Sequence, residues 1–205
     1  MIVYLHGFAS CGGSRKAMIL RAGFPDVRVL APDYSAHDPG AAIPFLEDFV
    51  ERHAPRQPVR PALFVGSPTG GYYALLLAKA FAGACVLINP ALEPGRQLRP
   101  CVGENRNYCT GQPFTVTDAM LDGFHRHEHR LAAPGEFPVL LLLNRDDPVI
   151  DPALARERFV GTAQVIETEG GEDPHGFSDF ERHLDSIREF WSTCAAGEER
   201  APASS

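Results

Sequence analysis

Short apolar runs alternating with longer amphipathic segments predict an α/β fold: a mostly parallel sheet with helices on both faces. Three observations support this. The runs at residues 2–5, 62–65, 84–88 and 139–143 are almost continuously apolar, as strands buried on both faces must be. Between them lie segments with apolar residues at helical spacing, such as Ile43, Leu46, Phe49 and Val50. Each run is followed by Gly, Pro, Asp, Asn or His, which gathers polar groups where ligands bind in such sheets. A chain of 205 residues, 44% hydrophobic and 22% charged, suits one globular domain.

The elements are expected in this order. A strand over 2–5 ends at His6-Gly7, and a helix over 14–22 starts at Ser14 as N-cap. A second strand spans 27–30 and a second helix 41–53. The third strand, 62–65, runs into a glycine-rich turn, then a helix over 72–81 so apolar that it must be buried. Strands over 84–88, 139–143 and 164–166 follow, and a helix over 180–191 closes the domain at about residue 195. Residues from about 91 to 136 form a lid-like insertion. The last ten residues, 196–205, are small and polar and read as a disordered tail.

Charge and cysteine usage exclude several function classes. The net charge of −7, with no long basic run, argues against nucleic acid as a partner. No apolar stretch reaches membrane-spanning length, and no signal-peptide pattern follows Met1, so a cytoplasmic protein is expected. Five cysteines in no metal or CxxC spacing read as free thiols, with Cys101–Cys109 the pair near enough in sequence to join under oxidation. His125-Arg126-His127-Glu128-His129 resembles a metal cluster, yet lacks a third ligand and reads as a solvated helix; no metal and no cofactor are expected. Arg96, Arg99 and Arg106 read as a solvated face.

The turn after the third strand carries the chemistry. Gly66-Ser67-Pro68-Thr69-Gly70 occupies the place of a Gly-x-Ser-x-Gly nucleophile elbow, between a strand and a buried helix. Its central position holds Pro68, which has no group able to attack a carbonyl. The rest of a serine hydrolase follows in the chain order elbow, Asp, His. Asp147, after the strand at 139–143, is the candidate acid, which holds the imidazole and stabilises its charged form. Asp146 is the second choice, and Asp151 reads as a helix cap. His175, in a glycine-rich loop before the last helix, is the candidate base. His6-Gly7-Phe8 after the first strand would supply an oxyanion donor from the Phe8 N–H, and Thr69 N–H the other. His6, Gly7 and Tyr72 are candidate cleft residues.

These residues, together with Leu5-His6-Gly7-Phe8-Ala9-Ser10, Ser14-Arg15-Lys16-Ala17, Gly70-Gly71-Tyr72-Tyr73-Ala74, Asn89-Pro90-Ala91, Gly103-Glu104-Asn105, Thr110-Gly111-Gln112 and His175-Gly176-Phe177, resemble the YqiA-like esterases. These are small bacterial α/β-hydrolases with little or no cap. The resemblance runs over about residues 1–191. It implies the α/β-hydrolase fold, action on a small-molecule acyl ester or thioester, no metal, and a triad at positions 68, 147 and 175. Two departures stand out. The family's elbow reads Gly-Ser-Ser-x-Gly-Gly, and the loop before His175 is longer here.

Proline also changes the backbone. The elbow nucleophile sits in a strained turn with positive φ, whereas proline is locked near about −65°. A relaxed turn with a trans Ser67–Pro68 bond is therefore expected, with a helix starting at or near Pro68. Ser67, Thr69 and Cys11 are the candidate substitute nucleophiles, and a water activated by His175 and Asp147 is a further route.

Overall fold

A computed structural model describes residues 1–56, 60–131, 133–169 and 179–198. Six strands form one parallel sheet: β1 (Ile2–Leu5), β2 (Val29–Leu30), β3 (Leu63–Gly66), β4 (Ala84–Ile88), β7 (Val139–Asn144) and β8 (Gln164–Thr168). Their spatial order is β2-β1-β3-β4-β7-β8. Between β4 and β7 in sequence, β5 (Gly103–Arg106) and β6 (Pro113–Val116) pair as a separate antiparallel hairpin.

Alternate residues of each strand face opposite ways, and both faces are covered. Val3, Leu5, Phe64, Cys85, Leu87, Leu141 and Leu143 meet α2 (Pro39–His53), α3 (Gly70–Ala80), α5 (Asp118–His127) and α6 (Pro152–Arg158). Ile2, Tyr4, Leu63, Val65, Val86, Leu140 and Leu142 meet α1 (Arg15–Gly23), the 3-10 turn Phe180–His183 and α7 (Leu184–Glu198). Burial on two faces explains why β1, β3, β4 and β7 are almost continuously apolar, whereas the edge strand β8 is not. Buried aromatic polar groups find partners: Trp191 donates to the Pro61 carbonyl at 2.9 Å and Tyr73 to that of Ala36 at 3.0 Å.

Among the described residues, the stretch between β4 and β7 forms regular elements. After a short helix α4 (Pro94–Gln97) come the β5–β6 hairpin and α5, which packs on α2. Arg99 pairs with Asp118 and Asp122 of α5, and Arg96 with Glu93, so these guanidiniums serve local ion pairs. His125 bonds Glu128 at 2.7 Å, and no group of three metal-ligating side chains exists among the described residues. None of the described helices is long and apolar enough to cross a membrane.

Several expectations are corrected. Ser14 stands at the N-cap of α1 but its side chain makes no capping bond. The second strand is only two residues long. Helix α2 begins earlier than its apolar periodicity suggests, because Asp38 caps it and Pro39 opens it. Helix α7 runs on to Glu198, past residue 196 where the tail was expected, and residues 199–205 lie outside those described. The free-thiol reading fails for two cysteines: Cys11 and Cys109 form a disulfide, with Cα atoms 6.0 Å apart. The bond spans 98 residues of sequence, so no local spacing announces it. Cys85, Cys101 and Cys194 are free.

Candidate active site

The strand order fixes where a site can form. From β1 the chain goes to β2 on one side and to β3 on the other, so a crevice opens beyond the carboxyl ends of β1 and β3. Leu5 pairs with Gly66 in register, which brings the turn after β1 against the turn after β3. The first turn carries Gly7 and Phe8, the second Ser67, Pro68 and Thr69.

Contact between the two turns is close. A Cβ at Gly7 would lie 2.7 Å from Pro68 Cδ and 2.8 Å from the Ser67 carbonyl oxygen. A Cβ at Gly70 would lie 1.9 Å from the Leu5 carbonyl oxygen. Only glycine allows the elbow to approach β1 this closely. The Phe8 and Thr69 N–H groups donate to no protein acceptor among the described residues.

Pro68 sits in a relaxed turn. Its φ is not positive, and the Ser67–Pro68 bond is trans. The Gly71 and Tyr72 amides donate to Pro68 and Thr69 carbonyls at 3.0 and 3.1 Å, an i to i+3 pattern typical of a tight first turn. Regular helix starts at Gly70, two residues after the proline, with Thr69 already helical at φ −62° and ψ −31°. The Ala91 amide also donates to the Pro68 carbonyl at 2.9 Å, which ties the elbow to the start of the insertion.

Asp147 follows β7 and is 8% exposed. Its Oδ1 accepts from the Val149 and Ile150 amides at 2.8 and 2.9 Å. Its Oδ2 accepts from Asn89 Nδ2 at 2.5 Å. Asn89, at the end of β4, uses its own Oδ1 to accept from the Asn144 amide at 2.7 Å. Asn89 clamps Asp147 to the sheet, and no role for it was legible in the sequence. Its place in Asn89-Pro90-Ala91, just past a strand, was the available signal; the partner depends on β4 lying beside β7. Asp146 is exposed, and Asp151 caps α6 by accepting from Ala153. His175 lies outside the described residues.

A cavity of about 240 Å³ opens beside Pro68. Its walls include Gly7, Phe8, Ser67, Asn89, Tyr4 and Tyr108. Burial pushes the Tyr4 phenol up to about 12, so it stays protonated at neutral pH. Ser67, 5% exposed, is among the cavity's lining residues, whereas Thr69, 3% exposed, is not. Cys11 is corrected as a substitute nucleophile, because its sulfur is committed to the disulfide. Tyr72 is corrected as a cleft residue: it is fully buried, and its hydroxyl donates to the Phe124 carbonyl of α5 at 3.0 Å.

His6 lines a second cavity of about 450 Å³ on the other side of the same loop, together with Asp33, Tyr34 and His37. Tyr34 donates to the His6 carbonyl at 2.6 Å, and Asp33 accepts from the Gly12 amide at 2.7 Å. Burial lowers the His6 pKa, partly offset by a bond to the Gly7 carbonyl and by Asp33.

The sequence model of an uncharacterised protein family, UPF0227, matches residues 1–192. A UPF0227 protein of Serratia proteamaculans (strain 568) is 25% identical over 192 residues, covering 93% of this chain and 98% of its own. Est1E from Butyrivibrio proteoclasticus, solved with ferulic acid bound, aligns with a TM-score of 0.71 at 14% identity, over 95% of this chain and 89% of that one. A monoacylglycerol lipase from Paleococcus ferrophilus aligns with a TM-score of 0.66 at 18% identity, over 93% of each chain. These structural likenesses show an α/β-hydrolase fold.

Proposed function

The chain belongs to the UPF0227 family, the YqiA-like group its motifs resemble, and from that premise we propose an esterase-type hydrolase scaffold that is inactive or weak as a serine esterase. Its ligand class is a short acyl ester or thioester. The observation that carries this reading is Pro68 at the crossing of the two turns, with Gly7 packed on its ring. Every neighbouring part has a role in acyl transfer. Phe8 and Thr69 amides would receive the developing oxyanion. Asp147, held by Asn89 and two amides, would orient His175. The space beside Pro68 is below the roughly 300–1,000 Å³ of drug-sized sites, which suits a small acyl group. The name of one structural neighbour, a monoacylglycerol lipase, agrees with this chemistry.

The test is hydrolysis of p-nitrophenyl butyrate by the wild type and by Pro68→Ser. Loss of the nucleophile in a serine protease costs about 10⁶ in kcat. Recovery of even a thousandth of that would raise kcat about 10³-fold. The wild type is expected to stay near buffer background. A wild type as fast as ordinary esterases would overturn the reading.

One observation favours a second reading, a non-catalytic binder of the same ligand class: the cavity persists although its nucleophile position is mute. Here a short acyl amide, resistant to hydrolysis, would bind the wild type, while Pro68→Ser would gain no turnover.

A further inference from the structure

We propose that the Cys11–Cys109 disulfide is a reversible redox modification site that controls the loop carrying Phe8, with the β5–β6 hairpin as the moving part. The proposal concerns loop conformation and does not require the chain to hydrolyse anything.

Cys11 lies in the loop after β1, and Cys109 in the tip joining β5 to β6. The hairpin has little core of its own. Along its strands only Val116 is buried. A two-stranded hairpin is marginal alone in water, so its attachments decide its position. Three attach its tip and second strand to the loop. The Tyr108 amide donates to the Ala9 carbonyl at 2.7 Å, and Asn107 Nδ2 donates to the Ser10 carbonyl at 2.9 Å. Phe114 meets Phe8 edge-on, with ring centroids 5.5 Å apart.

The loop itself is under tension. Ala9 has φ of 54°, a left-handed conformation unusual for a residue with a Cβ. Its carbonyl is the one that Tyr108 holds. Ala9 directly follows Phe8, so relaxation at Ala9 re-aims the neighbouring peptide groups. The same loop and hairpin tip wall both cavities: Phe8, Ser10 and Tyr108 the smaller, His6, Ala9, Cys11 and Asn107 the larger. Cutting the covalent tie therefore loosens a wall common to both.

Access suits exchange, because Cys109 is exposed. A dithiol reductant attacks through one thiolate at Cys109 Sγ, and the Sγ–Sγ bond breaks. Cys11 leaves as a thiolate and takes a proton. The reductant's second thiol then displaces Cys109, which is protonated in turn, and the reductant leaves as its own disulfide. Two electrons and two protons pass to the protein, and a small-molecule disulfide reverses the step. In a reducing compartment such bonds are usually transient and redox-sensing.

Hydrogen exchange with and without dithiothreitol tests this. Reduction is expected to speed exchange of amides in residues 7–11 and 103–116 at least ~10-fold, where local opening is set by few contacts. Strands β3 and β4 should be unchanged, and oxidised glutathione should restore protection. Cys109→Ser, at an exposed position, should match the reduced wild type with or without dithiothreitol. Unchanged exchange in a protein shown by mass to be reduced would overturn the proposal. So would a uniform rise across the sheet, which would make the bond a static staple. Five free thiols under oxidising conditions would overturn it as well. No substrate enters these readouts, so they stand or fall apart from the ester assay.

Discussion

Pro68 acts through two separate properties, the missing hydroxyl and the fixed φ. On the proposed reading, the first removes the attacking group. The second releases the strain an elbow normally stores, on the order of 1–3 kcal/mol. Activity and stability should therefore move in opposite directions on Pro68→Ser. Thermal unfolding is expected to fall by about 2–4 °C for each kcal/mol lost at this chain length, while esterase activity rises. A variant that gains activity without losing stability would show that the turn stays relaxed. Asn89 is the second decisive residue. In the Pro68→Ser background, Asn89→Ala removes the donor to Asp147 Oδ2 and leaves a buried carboxylate oxygen short of a partner. Loss of such a bond costs about 1–3 kcal/mol. A fall in kcat with KM little changed is expected, and an unchanged kcat would remove Asn89 from any role in holding the acid.

Elements were legible in proportion to how much their own residues decide them. Strands β1, β3, β4 and β7 announced themselves because burial on both faces keeps them almost continuously apolar. The β5–β6 hairpin gave no such signal. Its strands, Gly103–Arg106 and Pro113–Val116, carry glycine, proline and charge, and its place depends on partners 97 or more residues away in the loop after β1. The start of α2 was hidden for a related reason, since Asp38 and Pro39 lie outside the apolar periodicity that marks the helix. That cap is testable. Asp38 Oδ1 accepts from Gly40 and Ala41 amides at 3.0 and 3.3 Å. Asp38→Ala should cost about 1 kcal/mol, read as a lowered urea midpoint with unchanged slope. At the start of α3, Gly70→Ala should cost ~3 kcal/mol or more, because its Cβ would strike the Leu5 carbonyl. Ordinary expression and melting of that variant would contradict the close approach of α3 to β1.

At the scale of the molecule, topology joins what sequence keeps apart. Pro68, Phe8 and Asp147, the proposed elbow, oxyanion turn and acid, lie just after β3, β1 and β7, and their order along the chain was readable from motifs. Which residues meet was not, because Asn89 reaches Asp147 only through the β4–β7 pairing, and Cys11 reaches Cys109 only through the hairpin. The same packing sets an acid limit on stability. His6, His37 and His183 have pKa values lowered by burial, with Asp33 and Asp38 opposing the shift at the first two and Arg182 adding to it at the third. Unfolded histidines titrate near about 6.5. Below that pH the unfolded chain binds more protons than the folded one, so stability falls as pH falls. The urea midpoint should be lower at pH 5.5 than at pH 7.5; an equal or higher value at pH 5.5 would show these histidines to be protonated in the fold.

Intact-mass analysis after exposure to a fluorophosphonate tests the central claim most directly. The wild type should remain unmodified, and Pro68→Ser should take up one phosphonyl group at position 68. Stoichiometric labelling of the wild type, mapped to Ser67, would mean that the elbow supplies a nucleophile after all.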